Sequence, residues 1–175
     1  MKLRQLKIKD VDRMLTWMHS KESKDIFAKD FNKYTKEDVT NFVKIKNTKN
    51  NINYACVNDD DEYLGTVSLK NIDYDNKNAE YAISFMKEAQ GTGAALFATK
   101  EILKQAFEEL NLEKVYLDVL ETNKRAISFY KKVGFIHEGT FRKHFIKNNE
   151  YINLLYFSIL REEYYKKRFS CFNSL

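Results

Sequence analysis

The hexapeptide Gln90-Gly91-Thr92-Gly93-Ala94-Ala95 stands between a strand-like segment and a long helical one. Small residues at such a junction let a phosphate come close to the backbone. The first N–H groups of a helix are unpaired and lie at the positive end of its dipole. The segment therefore reads as a pyrophosphate cradle, with a glycine-loosened helix start as the plain structural alternative. It is not a P-loop, because the Gly-Lys-[Ser/Thr] ending is missing. Nor is it a dinucleotide-binding GxGxxG turn, because the next strand and its ribose-binding acid are missing.

A second segment, LDVLETNKRAISFYKKVGF, leads from a strand into a helix that stops at Gly134-Phe135. Asn123, Ala126 or Ile127, and Tyr130 are spaced to share one helical face, with Phe129 beside Tyr130. An amide, a small side chain and a phenol along one face suit a pantetheine arm. Taken alone, Tyr130 also reads as an ordinary core tyrosine.

Periodicity predicts the elements that would position these groups. LRQLKI reads as an opening strand, and Asp10 as the N-cap of a helix with Val11, Met14, Leu15 and Met18 on its apolar face. Ser20 to Tyr34 reads as partly helical. Thr35 followed by Lys36-Glu37-Asp38 predicts a capped helix carrying Val39, Phe42, Val43 and Ile45. The pattern then alternates: INYACVN, YLGTVSLKNI and AEYAISF, joined by DDDE and DYDNKN, predict a three-stranded antiparallel meander. After Gln90 a long helix places Leu96, Thr99, Leu103, Phe107 and Leu110 on one face. LEKVYLDVL is a buried strand, and Thr122 or Asn123 caps the helix ending at Gly134. FIHEGTFRKHFI and EYINLLYFSIL are long strands joined by a tight turn at Asn148-Asn149, and a helical tail follows, ending in RFSCF as a helix end or oligomer contact.

With both motifs in this order, the chain resembles the GNAT superfamily of N-acetyltransferases over nearly its whole length. All five glycines fit: Gly65 in a strand pair, Gly91 and Gly93 in the signature, Gly134 ending a helix, and Gly139 in Glu138-Gly139-Thr140-Phe141-Arg142. The resemblance implies an α+β fold, an α/β/α sandwich with a mixed, mostly antiparallel sheet of about seven strands flanked by helices. It implies one acetyltransferase domain over residues 1–175 and acetyl-CoA as cosubstrate. It also implies cofactor contacts from Gln90, Gly91, Thr92, Gly93, Ala94, Ala95, Asn123, Ala126, Phe129 and Tyr130. A strand bulge at Ala82, Ile83 and Ser84 would present backbone N–H groups to the thioester carbonyl and pantetheine. Tyr130 matches the phenol that protonates the CoA thiolate. The base is left open between Asp118, Glu80 and a water chain, and each carboxylate also suits a core hydrogen bond or ion pair.

The remaining composition mainly excludes. The +5 net charge comes from scattered lysines with acids between them, so no nucleic-acid partner is expected. No apolar run is long enough for a membrane helix, and the start lacks a secretion signal, so a cytoplasmic protein with no membrane partner is expected. Cys56 and Cys171, and His19, His137 and His144, lack metal-ligand spacing, so no metal is expected. Cys56 reads as buried packing, which argues against an acyl-cysteine route. The acceptor is an amine on a small molecule or a peptide, and the chain can form a homodimer. The C-terminal pattern resembles ribosomal-protein, spermidine and nucleotide-amino-sugar acetyltransferases. The sequence favours the amino sugar, because Lys21, Lys24, Lys29, Lys33 and Lys36 can meet a diphosphate and the opening helix with Trp17 and the Leu69-Lys70-Asn71-Ile72-Asp73 stretch resemble that subgroup; Trp17 and Met18 line the acceptor side or pack in the core. Spermidine ranks last, because the acceptor-side helices mix charges instead of clustering acids. A non-catalytic acyl-CoA sensor is the reading from another class.

Overall fold

The computed structural model describes residues 1–27, 30–45 and 47–170, with side chains described through residue 166. The strands are β1 (Lys2–Gln5), β2 (Ile52–Val57), β3 (Tyr63–Asp73), β4 (Asn78–Phe85), β5 (Lys114–Leu120), β6 (Ile136–Lys147) and β7 (Glu150–Leu160). They form one seven-stranded sheet in the order β1-β2-β3-β4-β5-β7-β6. Only β4 and β5 run parallel, and all other neighbours are antiparallel. The helices are α1 (Val11–Met18), α2 (Lys21–Ile26), α3 (Lys36–Lys44), α4 (Ala94–Lys104), α5 (Lys124–Val133) and α6 (Arg161–Ser170). This is the α+β sandwich expected from the sequence.

Strand alternation explains the layers. Neighbouring residues of a strand point to opposite faces. On β2, Cys56 accordingly joins the core under α4 and α5, while Ala55 and Val57 join the core under α1 and α3. On β5, Val115, Leu117 and Val119 all enter the first of these cores. α4 packs on it through Ala98, Ile102 and Leu103, then loosens into a π-helical turn at Gln105–Glu109 that still buries Phe107. Each fully buried aliphatic or aromatic side chain here is worth ~1.5–3 kcal/mol.

Turn chemistry sets the strand pairing. Asn148 and Asn149 both have positive φ, 50° and 61°, the geometry a two-residue hairpin demands. At Gly65, which pairs with Phe85, an added Cβ would lie 2.5 Å from the Phe85 ring and closer still to the Ser84 carbonyl, so only glycine lets β3 and β4 approach there.

Two local expectations change. Asp10 does occupy the N-cap position of α1, but its carboxylate turns back to accept the Lys7 N–H at 2.8 Å and the Arg4 guanidinium at 2.7 and 2.8 Å. The nearby arginine outcompetes the helix amides for that carboxylate. On α3, Val39 and Val43 are buried as predicted, whereas Phe42 and Ile45 are exposed. The helix ends at Lys44, so Ile45 leaves the packed face. The Thr35 cap forms as predicted, with reciprocal bonds to Asp38.

Candidate active site

The parallel seam between β4 and β5 builds the site. The two strands pair only from Asn78↔Lys114 to Glu80↔Tyr116 and then diverge, while β5 stays paired with β7 through Leu120↔Leu154. The wedge opens into a cavity of about 450 Å³. Ile83, Ser84 and Phe85 of β4 form one wall, and Asp118, Val119 and Leu120 of β5 form another. A splay stands where a bulge was expected. From Gly65↔Phe85 to Lys70↔Glu80 the pairing of β4 with β3 runs without a register shift, so Ala82, Ile83 and Ser84 form no bulge against that partner. Instead, β4 loses its β5 neighbour beyond Glu80.

The glycine segment closes one end of the cavity. Gln90, Gly91, Gly93 and Ala95 line it. Gly91 and Gly93 have φ of 78° and 85°, and neither would crowd an added Cβ, so they are glycines for their left-handed backbone. Gly93, the N-cap of α4, brings no side chain of its own; the Ala94 N–H is taken by the Thr92 hydroxyl, and the Ala95 and Leu96 amides of the first turn are left for an anion. Thr92 turns away from the cavity: its hydroxyl donates to the Ala89 carbonyl at 2.8 Å and accepts the Ala94 N–H at 3.3 Å. Ala94 is fully buried beneath the turn.

The α5 face forms the third side. Asn123, Ala126, Phe129 and Tyr130 line the cavity. The Asn123 side chain caps its own helix, accepting the Ala126 N–H at 3.1 Å, and reaches the Ile26 carbonyl at 3.5 Å. Tyr130 is 8% exposed. Its ring packs edge-on against Tyr81, Phe129 and Phe135. Its hydroxyl makes no hydrogen bond to any described residue, although the side chain lines the cavity. Burial, and then the charge of Asp118, hold the phenol far above its usual pKa.

The two candidate bases separate. Asp118 lines the cavity, and its carboxyl is raised above the usual aspartate value, first by desolvation and then by Glu80, with Lys70 and His144 opposing. Much of the residue's surface stays open, so the desolvation is partial. Glu80 is ion-paired with Lys70, accepts from Asn71 Nδ2 at 2.9 Å, and is not among the cavity-lining residues. Ala82 is likewise outside the lining. Cys56 is fully buried, its thiol is pushed up to about 11 by burial, and it donates to the Ala94 carbonyl at 3.9 Å, all consistent with packing.

The sequence reading passed over several lining residues. Glu22, Ile26 and Phe27 of the α2 segment and Arg125 of α5 belong to the cavity; Trp17, expected on the acceptor side, lines it too, while Met18 is buried outside the lining. Glu22 accepts from Gln90 Nε2 at 2.7 Å and pairs with Arg125 at 3.4 Å. Trp17, Phe27 and Phe31 form an edge-packed aromatic trio with centroids 5.3 to 5.5 Å apart. The apolar residues embedded in this polar stretch were the available signal. Lys21, Lys24, Lys33 and Lys36 are exposed, none lines the cavity, and Lys36 pairs with Asp12. Lys29 and the Cys171–Phe172 tail lie outside the described residues. Among the described residues no helix is long and apolar enough to cross a membrane.

Known proteins carry the same pattern. A curated relative is the spermidine N(1)-acetyltransferase of Escherichia coli strain K12, 37% identical over 105 residues, which are 60% of this chain and 56% of that protein. Another is the putative ribosomal N-acetyltransferase YdaF of Bacillus subtilis strain 168, 31% identical over 105 residues, 60% of this chain and 57% of its own. These matches span less than two thirds of the relatives' lengths. The crystal structure of spermidine N-acetyltransferase from Vibrio cholerae in complex with CoA and spermine superposes with a TM-score of 0.83 at 23% identity, covering 94% of this chain and 97% of that one, which shows a shared fold. The family model described as an acetyltransferase (GNAT) domain matches residues 1–136, most of the length. The chain belongs to the GNAT acetyltransferase family.

Proposed function

We propose that this chain transfers an acetyl group from acetyl-CoA to an amine, with a polyamine of the spermidine type as acceptor. One observation carries the reading: Tyr130 is buried in an aromatic cluster, yet its hydroxyl has no described hydrogen-bond partner and stays accessible in the same cavity as the first turn of α4. An accessible phenol O–H on an otherwise apolar wall is free to donate to a ligand atom. The α4 amides, Gln90 and Arg125 suit the diphosphate, and the α5 face suits the pantetheine arm.

The chemistry follows from this chain's groups. The acceptor must lose a proton before its nitrogen can attack the thioester carbonyl, and Asp118, its carboxyl raised above the usual aspartate value by desolvation, lines the cavity as the group to receive it. The nitrogen–carbon bond forms, the carbon–sulfur bond breaks, and Tyr130 gives its proton to the departing thiolate. Once Asp118 is protonated, its charge no longer holds up the Tyr130 pKa, so the phenol becomes a better acid when it is needed.

The choice of acceptor departs from the amino sugar favoured by the sequence. Of the lysines meant for its diphosphate, Lys21, Lys24, Lys33 and Lys36 do not line the cavity, and the carboxylates that do are Glu22 and Asp118. The relatives named for spermidine support the same choice. The YdaF match keeps a protein N-terminus in the comparison. The test is thiol release from acetyl-CoA with spermidine, a nucleotide-linked amino sugar and an N-terminal peptide. The expected order puts spermidine first by about tenfold or more in kcat/KM. Preference for either other acceptor rejects the polyamine, and CoA binding without turnover on any of them favours the sensor.

A further inference from the structure

We infer that the Glu22 carboxylate and the diphosphate of coenzyme A compete for the same donors, so that Glu22 acts as a latch coupling cofactor binding to the α2 wall. This rests on the reading of the glycine segment as a diphosphate cradle. Glu22 Oε1 takes both Gln90 Nε2 at 2.7 Å and the Arg125 guanidinium at 3.4 Å. All three residues line the cavity with Gly91 and Gly93. A carboxylate that accepts from an amide and a guanidinium at the mouth of an anion cradle offers the hydrogen bonds and charge that a phosphate would offer. Two anions cannot share those donors without like-charge repulsion, which is larger in a partly buried cavity than in water. Binding of the diphosphate therefore turns Glu22 outward.

The consequence reaches the acceptor side because Glu22 lies on a helix of only six residues. The same segment places Ile26 and Phe27 in the cavity wall, with Phe27 edge-on to Trp17 at 5.3 Å. Its far end is tied to other elements: Lys147 Nζ donates to the carbonyls of Asp25 at 2.8 Å and Phe27 at 3.0 Å. With that end held, release of Glu22 pivots the near end of α2 and loosens the contact of Phe27 with Trp17. The carboxylate thus sets the cofactor's affinity and passes its arrival to the wall that faces the acceptor.

Trp17 is the chain's only tryptophan, so the coupling has a built-in reporter. The experiment has two arms on the full chain. In the first, CoA and dephospho-CoA, which both contain the diphosphate, are titrated by calorimetry into wild type and Glu22→Gln. The latch predicts about fivefold to tenfold tighter binding of both by the variant. Equal or weaker binding overturns it, while no binding by either protein overturns the cradle itself and the latch with it. In the second arm, acrylamide quenching of Trp17 is compared in wild type and Glu22→Ala, without and with CoA. CoA should raise quenching in wild type, and Glu22→Ala should show the raised value before CoA is added. Quenching that is the same in all four samples contradicts the coupling even if the affinities differ.

Discussion

The two sides of the cavity are built by different means. On the side of α4 and α5, backbone and small residues decide the shape: left-handed glycines, a helix start without a side-chain cap, and a phenol set in a buried aromatic cluster. On the side of α2, single polar contacts between distant segments decide it: Glu22 with Gln90, Asn123 with Ile26, Lys147 with Asp25 and Phe27. The first kind of wall is written in short local motifs. The second kind depends on pairs 68 to 122 residues apart, which no local pattern encodes. A cosubstrate shared by a family suits the first construction, and an acceptor that differs between relatives suits the second.

The sharpest way to break this comparison is Tyr130→Phe, which leaves the aromatic packing and removes only the hydroxyl. Turnover should fall about a hundredfold while CoA affinity holds, as measured by thiol release and calorimetry. Retained turnover would reduce Tyr130 to packing.

Gly65→Ala probes the framework beneath the same side. The added methyl meets the Ser84 carbonyl and the Phe85 ring, and should cost about 1–3 kcal/mol, a Tm drop of several degrees in a thermal melt. An unchanged Tm would show that β3 and β4 are not held so closely.

Asp118→Asn tests the seam where the two sides meet. With its carboxyl raised, protonated Asp118 favours the folded chain, so its contribution is full below the ordinary aspartate range and is lost as pH rises through the raised value. Activity runs the other way, because the base must be ionised. The pH profile of kcat/KM should show an acid limb above the ordinary aspartate value. The variant should lose that limb along with about tenfold of the rate. A limb that persists unchanged assigns it to another group.

The smallest effect belongs to the α2 side. Lys147→Met removes the donor to two carbonyls, and should raise the acceptor's KM about threefold with a smaller shift in the KM for acetyl-CoA, passed through Glu22. If both constants move by the same factor, the two sides are not separable.

The sequence exposed the walls to different degrees for the same reason. The meander, the long helix, the Asn123 cap and the Asn148-Asn149 hairpin follow from periodicity and turn chemistry, and all are present. Asp10 was legible as a cap position but not as the partner of Arg4, which arrives from another element. The splay after Glu80 was not legible as such, because no residue type marks where two parallel strands separate. Glu22 and Arg125 carry no local sequence signal, and only the fold sets them beside Gln90.

Hydrogen exchange of the backbone amides of residues 91–96, followed with and without CoA, tests the central claim most directly. Slower exchange there on adding CoA, absent when pantetheine replaces it, is the result expected if these amides hold the diphosphate. Exchange unchanged at saturating CoA would contradict the account.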